Sequence, residues 1–327
     1  MQGFEVMKEI GGYFGFEKLI SKEYYSDLIP LNTARNALAY LIKSRKIKKL
    51  YIPYFLCDSV FNVCKREKCD YEYYHIDENF MPVFDKELGE YEYLYVVNYY
   101  GRVSNEKVEV IKKQYANIIF DNVQAFFQKP VKDIDTIYSC RKFFGVPDGA
   151  YLSTNTKLDD IKIDISKDRM KHILGRFEGT ASDYYSDFKS NDHSFAELEL
   201  RYMSELTHNI LGAIDYRNVM KKRDENYAYL ANKLDNINSL KSVHPNGPYM
   251  YPFYCENGME VKKKLAEKKV FVATLWPNVL DTVESGMLEY NYSANILPLP
   301  CDQRYDENDM SYIIKTLFEI LSEIKGK

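Results

Sequence analysis

Between residues 31 and 153 short apolar runs alternate with stretches of helical periodicity, and this alternation constrains the fold more than any other feature. The strand-like runs are Leu50–Ile52, Tyr71–Ile76, Tyr93–Asn98, Asn117–Phe120, Thr136–Tyr138 and Tyr151–Ser153. Helical spacing falls at Leu31–Ile42, Cys57–Arg66 and Lys107–Tyr115. In the first helix Ala37, Leu38, Leu41 and Ile42 make an apolar stripe, with Asn32 or Thr33 as N-cap. Its Lys/Arg-rich close suits the negative end of the helix dipole. Strand and helix alternating at this spacing predict an α/β fold with a largely parallel sheet. Ligands of such sheets sit beyond the carboxyl ends of the strands, where Asn98, Asp121 and Ser139 stand.

The second half changes pattern. Phe195–Leu211 and Tyr216–Leu234 carry apolar residues at helical spacing. Strand-like Tyr249–Tyr254, a helix at Gly258–Lys268, the run Val270–Ala273 and a last helix at Glu307–Lys325 follow. The expected organisation is a large α/β domain over residues 1–215, with an N-terminal arm over 1–30, and a smaller α+β domain over 216–327. The segment Lys157–Ser194 is polar and poorly periodic, and reads as a loop or mobile flap.

Composition removes several classes of function. The 327 residues are 46% apolar and 28% charged, with a net charge of −4, as in an ordinary soluble globular protein. No basic block offers a surface for nucleic acid or an anionic membrane. The apolar runs fall short of the roughly 20 residues that cross a bilayer. The first residues lack the continuous apolar stretch of a secretory signal, so the cytoplasm is the expected compartment. The six cysteines occur singly and the five histidines show no ligand spacing, so no metal site is expected and the thiols read as reduced.

Two residues carry the candidate chemistry. Asp121 ends an apolar strand, and Lys142 follows 21 residues later on the next connection, ahead of a Gly/Pro turn. A carboxylate and an amine so placed are what pyridoxal phosphate (PLP) requires. The amine forms a Schiff base with the cofactor aldehyde, and the carboxylate keeps the pyridine nitrogen protonated. Taken alone, Asp121 also reads as a strand-end turn former and Thr33 as a simple helix cap.

These residues resemble the DegT/DnrJ/EryC1/StrS family of PLP-dependent sugar aminotransferases, in order along nearly the whole chain from about residue 30. Asn32-Thr33-Ala34 is similar to the family's Ser-Gly-Thr-Ala helix start, which holds the cofactor phosphate. Asn98-Tyr99-Tyr100-Gly101 stands where the family has His-Leu-Tyr-Gly, and Asp121-Asn122-Val123-Gln124-Ala125 resembles Asp-Ala-Ala-Gln-Ala. Ser139 to Ala150 resembles the lysine segment, with Asp148 and Gly149 at the family's spacing from Lys142. Met203-Ser204-Glu205-Leu206 is similar to Met-Ser-Asp-Leu, and Leu297-Pro298-Leu299-Pro300 to a late Leu-Pro segment. Cys57 takes the place of the aromatic that stacks on the pyridine ring, leaving Tyr54 or Phe55 to compensate. Leu200-Arg201-Tyr202 replaces the Asn-Arg pair before Met-Ser, where Arg201 would contact the phosphate in the neighbouring subunit.

The resemblance implies a fold type I PLP-dependent transferase, with a mostly parallel seven-stranded sheet between helices and a smaller C-terminal α+β domain. It implies Lys142 as the catalytic residue. Thr33, Ala34 and Ser139 would lie at the phosphate, Asp121 at the ring nitrogen and Gln124 near the phenolic oxygen. It further implies transfer of an amino group from glutamate to a nucleotide-linked keto-sugar, in surface polysaccharide or related amino-sugar synthesis. A homodimer with shared active sites is part of the same expectation. The sugar dehydratases among the relatives carry histidine in place of the lysine, so Lys142 argues against that reading. An inactive PLP-fold protein that binds or regulates within polysaccharide assembly remains the alternative, kept open by Cys57 and the altered approach to Met203.

Overall fold

In the computed structural model, which describes residues 13–19 and 22–325, the chain opens with β1 (Ile29–Leu31), α1 (Ala34–Ser44), β2 (Lys49–Pro53) and α2 (Asp58–Arg66). β3 (Asp70–Ile76), β4 (Pro82–Val83), β5 (Glu92–Val97), α3 (Asn105–Gln114), β6 (Ile118–Asp121), β7 (Asp135–Ser139) and β8 (Ala150–Ser153) follow. They form one eight-stranded sheet in the order β1-β8-β7-β6-β5-β2-β3-β4, where seven strands were expected. The run from β7 to β3 is parallel, and β8, β1 and β4 are antiparallel additions at the two ends. This is an α/β fold. Strands β2, β5, β6 and β7 are almost wholly buried, which is why they read as continuous apolar runs and not as alternating ones. Their parallel register brings Asn98, Asp121 and Ser139 to one edge: Val97 pairs with Asp121, Asp121 with Ile137, and the Asn98 amide donates to the Asp121 carbonyl.

The second half comprises α4 (Lys171–Glu178), α5 (Tyr185–Ser194), α6 (Glu205–Leu211), α7 (Tyr216–Leu234), β9 (Tyr251–Tyr254) and α8 (Gly258–Glu267). It ends with α9 (Val279–Thr282), α10 (Leu288–Asn295), β10 (Ile296–Leu299) and α11 (Glu307–Lys325). β9 and β10 pair as a small antiparallel sheet. With α7, α8 and α11 they enclose a separate core around Leu230, Leu234, Val261, Leu297 and Leu317. Trp276, Val279 and Tyr292 return to the core of the large sheet. A third cluster, aromatic and centred on Phe126, Phe143 and Tyr138, lies under the Lys142 turn. No helix among the described residues is long and apolar enough to cross a membrane.

Three expectations change. Leu31 belongs to β1, not to the first helix, because it pairs with Ala150 and the helix begins only after the Thr33 cap. Phe195–Leu211 is not one helix. The Tyr202 amide donates to Lys162 and the Met203 amide to Pro30, so extended chain precedes Ser204, the true cap of α6. The supposed loop Lys157–Ser194 contains α4 and α5, and Gly175 lets them meet: a Cβ there would lie 2.3 Å from the Tyr184 ring. Most of the arm expected over residues 1–30 is described only from Tyr13 onward; residues 1–12 lie outside the described residues.

Candidate active site

Lys142 sits on a tight turn between β7 and β8. Phe143 and Phe144 both donate their amides to the Cys140 carbonyl, and Cys140 in turn donates to Gly149. Gly149 has φ +118°, and a Cβ there would meet Thr207 at 3.1 Å and Cys140 at 3.2 Å, so conformation and space both require glycine. The turn is fixed from two further sides. Gln303 Nε2 and Arg223 Nη2 donate to the Phe143 carbonyl at 2.8 and 3.3 Å. On the other side Asp148, fully buried, accepts from the Ser204 amide at 3.0 Å, from its hydroxyl at 2.8 Å and from the Thr207 hydroxyl. Burial raises the Asp148 pKa, and these donors oppose the rise without cancelling it.

This turn and the strand ends border a cavity of about 630 Å³. Lys142, Asp121, Ser139, Thr33, Ala34 and Cys57 all line it. Asp121 is 4% exposed; its Oδ2 accepts from the Tyr95 hydroxyl at 2.7 Å and its Oδ1 from the Val123 amide at 2.9 Å. Burial raises its pKa, and the Lys142 charge works against that rise. Lys142 itself is open to the cavity, yet protein surrounds the cavity around it. Its pKa is lowered, first by desolvation, with Asp121 opposing. A lysine so placed is deprotonated at lower pH than one at the surface, and is correspondingly more nucleophilic.

Beside the Lys142 turn, tied to it by the Gly149 amide donating to the Asn32 carbonyl, α1 begins. Thr33 caps it in extended conformation, its Oγ1 accepting from the Asn36 amide at 3.0 Å. The amides of Ala34 and Arg35, in the first turn, have no acceptor within the helix. Ser139 is 9% exposed, and its hydroxyl has no hydrogen-bond partner among the described residues. Open amides, a helix N-terminus and a free hydroxyl make an anion-binding end.

Two residues singled out from the sequence do not line this cavity. Gln124 is buried off the cavity wall, where its Oε1 accepts from the Tyr100 amide at 2.8 Å. That bond holds the turn after β5. Arg201 also lies outside the cavity and pairs with Glu199 at 2.9 Å, while its carbonyl accepts from Asn32. Neither Tyr54 nor Phe55 reaches the cavity to compensate for Cys57. Tyr54 stacks on Tyr73 and His75 at 4.8 and 4.6 Å, and Phe55 packs on Trp276 in the core. Cys57 instead caps the wall at the start of α2, its sulfur 2.7 Å from the Ser59 hydroxyl. Asn98 is fully buried and bridges Val103, Asn122 and Gln128.

The cavity also holds residues that sequence reasoning missed. Tyr95 was hidden by the uniform burial of β5, where a hydroxyl is the only sign of a special neighbour. Arg35, Arg141, Asp192, Tyr249 and Arg304 come together only through tertiary packing. Among the described residues no group of three or more His, Cys, Asp or Glu side chains could hold a metal ion.

No protein-family model matches the sequence, and no curated protein matches it. Solved structures do. A DegT DnrJ EryC1 StrS aminotransferase from Brucella abortus is 15% identical with a TM-score of 0.60, covering 90% of this chain and 85% of that one. The sugar aminotransferase CalS13 from Micromonospora echinospora is 12% identical with a TM-score of 0.61, over 89% and 86%. NtdA from Bacillus subtilis, with bound cofactor PMP, is 14% identical with a TM-score of 0.62, over 92% and 74%. Over nearly its whole length, therefore, this chain has the fold of the DegT/DnrJ/EryC1/StrS aminotransferases, the fold type I architecture.

Proposed function

We propose that the protein is a PLP-dependent aminotransferase that moves an amino group from glutamate to a nucleotide-linked keto-sugar. The reading includes a cytoplasmic homodimer with shared sites, serving surface polysaccharide or related amino-sugar synthesis. One observation carries it: the Lys142 amine and the buried Asp121 carboxylate line the same cavity, in the fold of known sugar aminotransferases.

The residues present fit the cofactor. Asp121 is a buried acid whose pKa is already raised by desolvation, so a protonated ring nitrogen beside it would supply the missing counter-charge. The Ala34 and Arg35 amides with the Thr33 and Ser139 hydroxyls would hold the phosphate. When bound, the cofactor supplies an electron-accepting ring that makes removal of an α-carbon proton feasible. The chain supplies the rest. Lys142, its amine favoured in the neutral form by burial, would take the proton from the donor's α-carbon and return it to the C4′ carbon of the cofactor, across the nitrogen between them. Asp121, fixed by Tyr95 and the Val123 amide, holds the opposing charge without reorganising. Tyr95 and Tyr249 add aromatic surface to the cavity wall around these groups.

The test is a half-reaction: protein, PLP and glutamate, with release of 2-oxoglutarate measured. The expected result is one equivalent of 2-oxoglutarate per site. Cofactor bound at Lys142 with no 2-oxoglutarate formed contradicts the reading and favours an inert binding protein.

A further inference from the structure

We infer that Arg35 and Arg141 carry the charge of the cofactor phosphate, and that Asp192 on α5 is the counter-ion that holds both side chains when no phosphate is present. The inference rests on the PLP reading above and assigns residues that neither the motifs nor the fold singles out.

Arg141 directly precedes the lysine, and Arg35 lies in the first turn of α1; both line the cavity alongside Thr33, Ala34 and Ser139. Each guanidinium reaches the same carboxylate: Arg141 Nη1 is 3.3 Å from Asp192 Oδ1, and Arg35 Nη2 is 3.9 Å from Asp192 Oδ2. Phe195 fixes their plane, with the Arg141 guanidinium 4.0 Å and that of Arg35 6.0 Å from the ring centroid. Two guanidiniums sharing one half-exposed carboxylate leave a positive charge unmatched. Burial accordingly depresses the Arg141 guanidinium to about 10, and the neighbouring Arg35 charge pushes the same way. Where Arg35 and Arg141 line the cavity, two guanidiniums thus share the single carboxylate of Asp192. The unmatched positive charge there is what a phosphate would offset. Ser139 supplies an independent sign of a ligand: a side chain nine-tenths buried, opening into the cavity, with no partner among the described residues.

Asp192 then works against the phosphate once it is bound, because like charges would share one guanidinium pair. This gives the two substitutions opposite signs, which a merely structural role would not. Arg141→Met should weaken PLP binding about tenfold or more, whereas Asp192→Asn should tighten it severalfold. Pyridoxal, which lacks the phosphate, should bind all three proteins equally. Affinities are read by equilibrium dialysis, and inorganic phosphate titrated calorimetrically should follow the PLP order without needing Lys142. Weakening by both substitutions, or equal changes for PLP and pyridoxal, overturns the inference. If the three proteins bind inorganic phosphate in the predicted order, yet wild type forms no covalent PLP adduct, the PLP reading fails and the anion site stands.

Discussion

The strand-end floor of the cavity and its far wall are built in different ways. The floor consists of Asp121, Ser139, the Thr33 cap and the Lys142 turn, each fixed by buried backbone pairing or by side chains under 10% exposed. The wall comes from α5, Tyr249–Met250, Thr274–Leu275 and Asp302–Arg304. There Asp192 is 45% and Arg304 53% exposed. A rigid floor suits chemistry that tolerates no displacement, and a looser wall suits the recognition of a variable substrate. The comparison implies that floor substitutions act on turnover and wall substitutions on affinity.

The largest effect should come from the floor. Lys142→Ala removes the proton carrier, and turnover should fall by about 10⁴-fold while the fold, read by circular dichroism, is unchanged. Asp121→Asn keeps the Val123 amide bond but loses the fixed negative charge; turnover should fall about 10²–10³-fold, with cofactor still bound. If either variant changes only KM, the division between floor and wall fails.

Asp148→Ala probes what holds the floor in place. It strips the Ser204 amide and the Ser204 and Thr207 hydroxyls of their shared acceptor and leaves Arg169, 3.9 Å away, with Asp164 alone. Urea unfolding should show a loss of about 3 kcal/mol. On the wall, Arg304→Gln breaks the bidentate contact with Asp302, at 2.7 and 2.8 Å. KM for the amino acceptor should rise about tenfold at nearly constant kcat.

A control lies away from both surfaces. Lys262 is 6% exposed and bonds the Ser293 and Ala294 carbonyls, and burial lowers its pKa to about 8. Between that value and the ordinary value of about 10.5 the unfolded chain binds a proton that the native chain does not, so this group's contribution to stability rises with pH. Lys262→Met should therefore lose ground against wild type, by on the order of 1 kcal/mol, between about pH 7.5 and about pH 9.5. Denaturation midpoints at the two pH values check the sign, and turnover should not change.

The floor was also the legible part of the sequence. Apolar runs that end on a single polar residue announced β6 and β7, and parallel pairing then placed Asp121 and Ser139 together without any further assumption. α7 and α11 have the bounds that their periodicity predicts. Legibility failed where tertiary contact overrides local pattern. Residues 196–203 have helical spacing, but the Met203 amide is taken by Pro30 and that of Tyr202 by Lys162. α5 leaves Tyr185 and Phe188 exposed and buries only Asn191, so no apolar stripe marks it as a helix. The arginines that meet on Asp192 are 106 residues apart in sequence, and nothing local to either one points to the other. Nothing in the sequence near Gln124, three residues after Asp121, shows that its Oε1 accepts from the Tyr100 amide.

The central claim is that position 142 carries the cofactor. Protein incubated with PLP, reduced with borohydride and digested should yield one labelled peptide, spanning Lys142, with the yellow colour discharged on reduction. A label on any other lysine, or no label from protein that has taken up the cofactor, would contradict the account.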